Sequence, residues 1–92
     1  AEAYRKMGLI EEALQICVRG TNFNPQFAGG HIAYAKILIA RGEHEQAEKE
    51  LAMASQLSPE NIMAYQLMGE CQMSLKNPKE ALKAFKMVLF LS

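Results

Sequence analysis

Ninety-two residues carry ten lysines and arginines against ten glutamates and no aspartate, so the chain has no net charge at neutral pH. That balance removes the long-range attraction on which binding to nucleic acid or an anionic membrane surface depends. Half of the residues are hydrophobic, too many for a disordered segment, and no apolar run reaches the roughly 18 residues of a membrane span. Three prolines and no tryptophan suit a chain that is nearly all helix.

Tyr4 and Met7 close a first helical stretch at Gly8, where glycine's freedom at positive φ suits a helix stop. A second stretch is expected from Ile10 to Thr21, with Ala13, Leu14, Cys17 and Val18 inward at i, i+3, i+4 spacing. Asn22 to Pro25 breaks it, because the residue before a proline is biased away from helix. The third runs from Phe27 to Ala40, weakened at its start by Gly29 and Gly30, and Arg41-Gly42 closes it. The fourth, Glu43 to Leu57, carries Ala47, Leu51, Ala54 and Leu57 on one stripe before Ser58-Pro59. The fifth, Asn61 to Leu75, turns Ile62, Tyr65, Met68, Gly69 and Gln72 inward. Asn77 is then expected as the N-cap of a sixth, with Pro78 at its first position and Ala81, Leu82, Phe85, Val88 and Leu89 as its apolar face.

Ala13, Ala47 and Ala81 stand 34 residues apart, as do Gly8 and Gly42, and Pro25 and Pro59. A fixed period of that length marks an array of stacked helical hairpins. Cys17 and Cys71 lie inside helical patterns without a CxxC spacing, which suits two buried free thiols and a reducing compartment.

These residues resemble the tetratricopeptide repeat family, whose unit is a 34-residue helical hairpin with a small residue where its two helices cross. In the second unit His31 stands where the family usually has tryptophan, followed by Tyr34, Ala35, Leu38, Gly42, Ala47, Leu51, Ala54 and Pro59. The third offers Tyr65, Met68, Gly69, Gln72, Ala81, Phe85 and Val88, with Lys76 in place of the turn glycine. The first keeps Ala1, Tyr4, Gly8, Ala13, Cys17, Gly20 and Pro25. The resemblance implies an all-α fold, a right-handed superhelical stack of antiparallel hairpins. It divides one domain, 1–92, into a truncated repeat 1–27 and repeats 28–61 and 62–92. A chain that opens inside a repeat is expected to be a piece of a longer one. Small residues are needed where two helices approach to about 8–10 Å, and Ala35 facing Ala47 and Gly69 facing Ala81 are expected to supply those crossings.

In this family the first helices of the hairpins line a concave groove. Carried over, the groove residues are Ile32, Lys36 and Ile39 on the third stretch and Met63, Gln66, Glu70 and Met73 on the fifth, with Gly29, Ala40 and Ser74 beside them. Glu2, Arg5 and Lys6 are the remnant of the first. An apolar floor with adaptable methionines suits a partner's peptide or amphipathic helix. Some relatives grip a chaperone's carboxylate tail with lysine, asparagine and arginine, but the matching positions here are Ala33, Met63 and Leu67, none of which can hold a carboxylate. The last helix, Phe85-Lys86-Met87-Val88-Leu89-Phe90-Leu91, is apolar where an end repeat is usually polar, so it is expected either to meet a further repeat or to form a homo-oligomer.

No catalytic set accompanies this surface. Without aspartate there is no Ser/His/Asp group, and His44 and Glu48, one turn apart, lack the third ligand a metal needs. Glu43, Glu45, Glu48 and Glu50 make the fourth stretch acidic. Lys76, Lys79, Lys83 and Lys86 make the sixth basic, and the two are expected to be complementary neighbours. The expected function is a non-enzymatic protein–protein interaction scaffold without cofactor, metal, nucleic acid or membrane contact. The alternative is an architectural spacer or self-association module with no ligand of its own.

Overall fold

In a computed structural model the chain is described from Glu2 to Ser92, with side chains described from Lys6 onward. Five helices follow one another: α1 (Glu2–Phe23), α2 (Ala28–Ala40), α3 (His44–Leu57), α4 (Ile62–Ser74) and α5 (Pro78–Leu91). The connections, residues 24–27, 41–43, 58–61 and 75–77, are short enough that each helix turns back along its predecessor.

The turns follow from local chemistry. Gly42 takes φ 81°; its N–H donates to the Ile39 carbonyl at 2.9 Å and that of Glu43 to Leu38 at 2.8 Å, closing the last carbonyls of α2. Thirty-four residues on, Lys76 adopts φ 62°, and Asn77 N–H donates to the Gln72 carbonyl at 2.8 Å. The loop geometry therefore recurs without glycine, at a cost of about 1 kcal/mol for a side chain in left-handed backbone. Asn61 caps α4, its Oδ1 accepting from the Met63 N–H at 3.0 Å. Asn77 does not cap α5 through its side chain; its amide donates instead to Gln72 Oε1 at 3.1 Å.

The break expected at Gly8 is absent, since α1 runs unbroken through it. Glycine lowers helix stability by roughly 1 kcal/mol but does not forbid helix. Gly8 has no positive φ, and a carbon added at its Cβ position would meet nothing within 4 Å.

The core lies between α2, α3 and α4: Ile32, Ala35, Leu38, Ala47, Leu51, Ala54, Ala64 and Cys71 form one buried cluster. Ala35 and Ala47 are wholly buried in it, as small residues at a close crossing should be. At the α4–α5 crossing the partner of Gly69 is the Phe85 ring, which a Cβ on Gly69 would meet at 2.5 Å. Ala81 is also buried, whereas Ala13 is only half-buried, because among the described residues α2 is the one helix packed on α1.

Consecutive helices pack against each other, and beyond those pairs α2 also meets α4. The expected pairing of acidic α3 with basic α5 does not occur among the described residues. The two helices do not pack, because α4 contacts both, and Lys83 instead pairs with Glu80 of its own helix at 3.2 Å.

Candidate functional site

The contact between α2 and α4 brings two faces of non-consecutive helices side by side. On α4, Met63, Gln66, Glu70 and Met73 lie on one helical face and all are exposed, the two methionines by 42% and 56%. On α2, Lys36 is exposed and Ile39 is half-buried, packed against the core. Ile32 is not on this surface. It is 7% exposed and belongs to the core cluster, because its position on the helix turns it toward α3 and α4. The exposed α2 stripe is Gly29, Ala33, Lys36 and Ala40, spaced i, i+4, i+7, i+11. The surface is therefore shallow along α2 and is filled mainly by the α4 methionines. The Glu2 and Arg5 side chains lie outside the described residues, and Lys6 is exposed.

The charge on this face is slight: Lys36 opposes Glu70 in sign, and Gln66 is neutral. Ala33 is exposed, Met63 is exposed and Leu67 packs on the core, so no cation stands at the positions that would clamp a carboxylate. Two hollows open away from the α4 methionines. One of about 620 Å³ opens at the α2–α3 turn around Gly42, His44, Lys49 and Glu50. Another, about 160 Å³, lies between α3, α4 and α5 with Glu48, Tyr65, Met68 and Glu80 in its wall.

Burial governs the titration of groups near the core. The Cys71 thiol is pushed up to about 11, first by burial and then by the charges of Glu48 and Glu70. Burial alone raises Cys17. Neither thiol is a thiolate at neutral pH, so neither is an activated nucleophile. Burial also raises the Glu48 carboxyl, opposed by Gln72 and reinforced by Glu80, and its Oε2 is buried without a hydrogen-bond partner. Among the described residues no group of three His, Cys, Asp or Glu side chains is placed to hold a metal, and no helix is long and apolar enough to cross a membrane.

His31 has partners that its sequence position does not announce. It is 2% exposed, with Nδ1 2.7 Å from Glu50 Oε1 and Nε2 2.6 Å from the Pro25 carbonyl. It thus ties α2 to α3 and to the loop after α1.

A tetratricopeptide repeat model matches residues 38–90, more than half of the chain. The chain belongs to the tetratricopeptide repeat family. The second tetratricopeptide domain of Spaghetti (RPAP3), solved with the HSP90 peptide SRMEEVD, is 25% identical with a TM-score of 0.88, over 99% of this chain and 84% of that one. The first such domain of the same protein, solved with the same peptide, is 24% identical with a TM-score of 0.89, over 99% and 72%. A thermophilic tetratricopeptide repeat protein of Thermus thermophilus is 25% identical with a TM-score of 0.87, over 97% and 45%. No curated relative matches the chain. Agreement over nearly the whole length shows that this tetratricopeptide repeat chain forms the superhelical hairpin stack of its family.

Proposed function

We propose that this chain is a non-enzymatic interaction scaffold, holding an extended peptide or a helix of a partner protein on the face shared by α2 and α4. The observation that carries the reading is the direct meeting of these two helices, with Met63 and Met73 exposed beside Lys36, Gln66 and Glu70. Exposed methionines adapt to apolar anchors of varied shape, and Ile39 of α2 is half-buried against the core. In this reading α2–α3 and α4–α5 are the repeats 28–61 and 62–92, and α1 precedes them.

Two similar domains hold an acidic, carboxylate-ended peptide, which favours a peptide as the class of occupant. Acidity is not carried over, because Ala33, Met63 and Leu67 supply no positive charge. The occupant is a segment anchored by two or three apolar side chains and carrying little charge. A peptide array probed with wild type, Ile39→Glu and Met73→Glu tests this. Each substitution is expected to weaken capture by roughly tenfold or more, the scale of a lost central anchor, and SRMEEVD is expected to stay unbound. Equal capture by all three chains removes this groove as the binding face, and no capture by any of them leaves the spacer reading, in which no peptide is held.

A further inference from the structure

The face of α1 turned away from α2 carries an apolar stripe whose large side chains no described residue covers. Leu9, Ala13, Ile16, Gly20 and Phe23 follow one another at steps of four and three residues, the spacing that keeps side chains on one line of a helix facing another helix. Leu9, Ile16 and Phe23 are 59%, 67% and 92% exposed, while Ile10, Leu14, Val18 and Thr21 occupy the face toward α2 and are buried or half-buried. Large and small residues alternate along the stripe. A Cβ at Gly20 would meet nothing within 4 Å, so the position is an open notch rather than a constraint of the monomer.

The charges on its edge select an occupant. Glu12 and Arg19, seven residues apart, lie along the same border of the stripe and are both exposed. Among the described residues neither forms an ion pair, the acid pairs of Arg41 being Glu11 and Glu43. A second identical helix laid parallel would put these two borders on opposite sides of the seam, leaving Glu12 and Arg19 out of each other's reach. Laid antiparallel it sets Glu12 beside the partner's Arg19 twice over, by symmetry.

We propose that a second copy of this chain covers the α1 stripe as an antiparallel two-fold pair, Leu9 seated over the partner's Gly20 and Ile16 over the partner's Ala13. Small residues seven apart let the two helices approach closely, and the Glu12 to Arg19 pairs fix direction and register. The other exposed apolar face, on α5, makes a poorer self-pairing surface. Its Leu82, Leu89 and Phe90 are interleaved with Lys79, Lys83 and Lys86, which two copies would bring against each other.

Sedimentation of the 92-residue chain over a range of concentrations tests the pairing, with circular dichroism confirming the fold of each variant. The expected mass is that of two 10.3 kDa chains. Gly20→Leu fills the notch and is expected to abolish the dimer although it adds apolar surface. Glu12→Arg and Arg19→Glu are each expected to weaken it by roughly tenfold, from two lost pairs and two repulsions. A mixture of those two single variants regains the affinity, because every facing pair is again opposite in sign. Leu89→Glu leaves the dimer intact. A monomer at every concentration, assemblies growing beyond two, a dimer strengthened by Gly20→Leu, or a mixture no tighter than its components would overturn the proposal.

Discussion

A neutral imidazole has a single N–H to donate, yet His31 faces an acceptor at each nitrogen, the Glu50 carboxylate and the Pro25 carbonyl. The ring satisfies both only when it carries both protons. Burial works against that charge, but the Glu50 hydrogen bond, the Pro25 carbonyl and the Glu50 charge outweigh it and raise the pKa above its ordinary value. A raised folded-state pKa contributes stability that is complete below the unfolded value near ~6.5 and is lost as pH climbs through the folded one. Urea midpoints are therefore expected to fall as pH rises from the acid side of neutrality into the alkaline range. Glu50→Gln should flatten that profile and cost about 1–3 kcal/mol at low pH, the scale of a buried donor left poorly partnered. An unchanged slope in the variant would contradict the doubly protonated ring. Position 31 is recognisable in the sequence as a hairpin-core site. Its partner is not, since Glu50 belongs to a different helix and looks like one more exposed acid of α3.

At the scale of the helix pair, glycine has opposite meanings at two positions of similar appearance. At Gly69 a Cβ would meet three carbons of the Phe85 ring at 2.5–2.8 Å, so α4 and α5 approach only because that atom is missing. Gly8 lies in open space on α1. Gly69→Ala is expected to destabilise the chain by about 1–2 kcal/mol, the overpacking cost less the better helix propensity of alanine. Gly8→Ala should stabilise it by about 0.5–1 kcal/mol. Thermal melts that move in the same direction for both would contradict this packing. The period of 34 announces a small residue at position 69, but the ring that fills the space is named only by how α5 is rotated on α4. The same limit applies to α1. Sequence marks Gly8 as a stop, whereas in the structure it keeps a helical backbone and α1 continues through it.

Across the whole molecule the core is shared, not divided among the hairpins. Leu38 of α2, Leu51 of α3 and Cys71 of α4 are the largest fully buried side chains and belong to one cluster. Leu51→Ala, at the middle helix of the three, is expected to cost about 2–5 kcal/mol through lost transfer energy and the cavity left behind. Amide exchange should accelerate in α2 and α4 together with α3, while α1 stays nearer its wild-type rate. Faster exchange confined to α3 would indicate separate units. Periodicity by itself determined the all-α hairpin stack, the four connections and most of the buried positions, because a 34-residue repeat with helical spacing has one way to bury its apolar stripes. The family resemblance, not the period, pointed to the α4 face as one side of a groove, and Met63 and Met73 are exposed there. Only the tertiary structure decided that Ile32 is core while Ala33 faces outward, that α3 and α5 do not pair their charges, and that His31 holds Glu50. Each depends on how far one helix is rotated about its axis against its neighbour, and a rotation of a fraction of a turn moves a side chain between core and surface without changing the spacing along the chain.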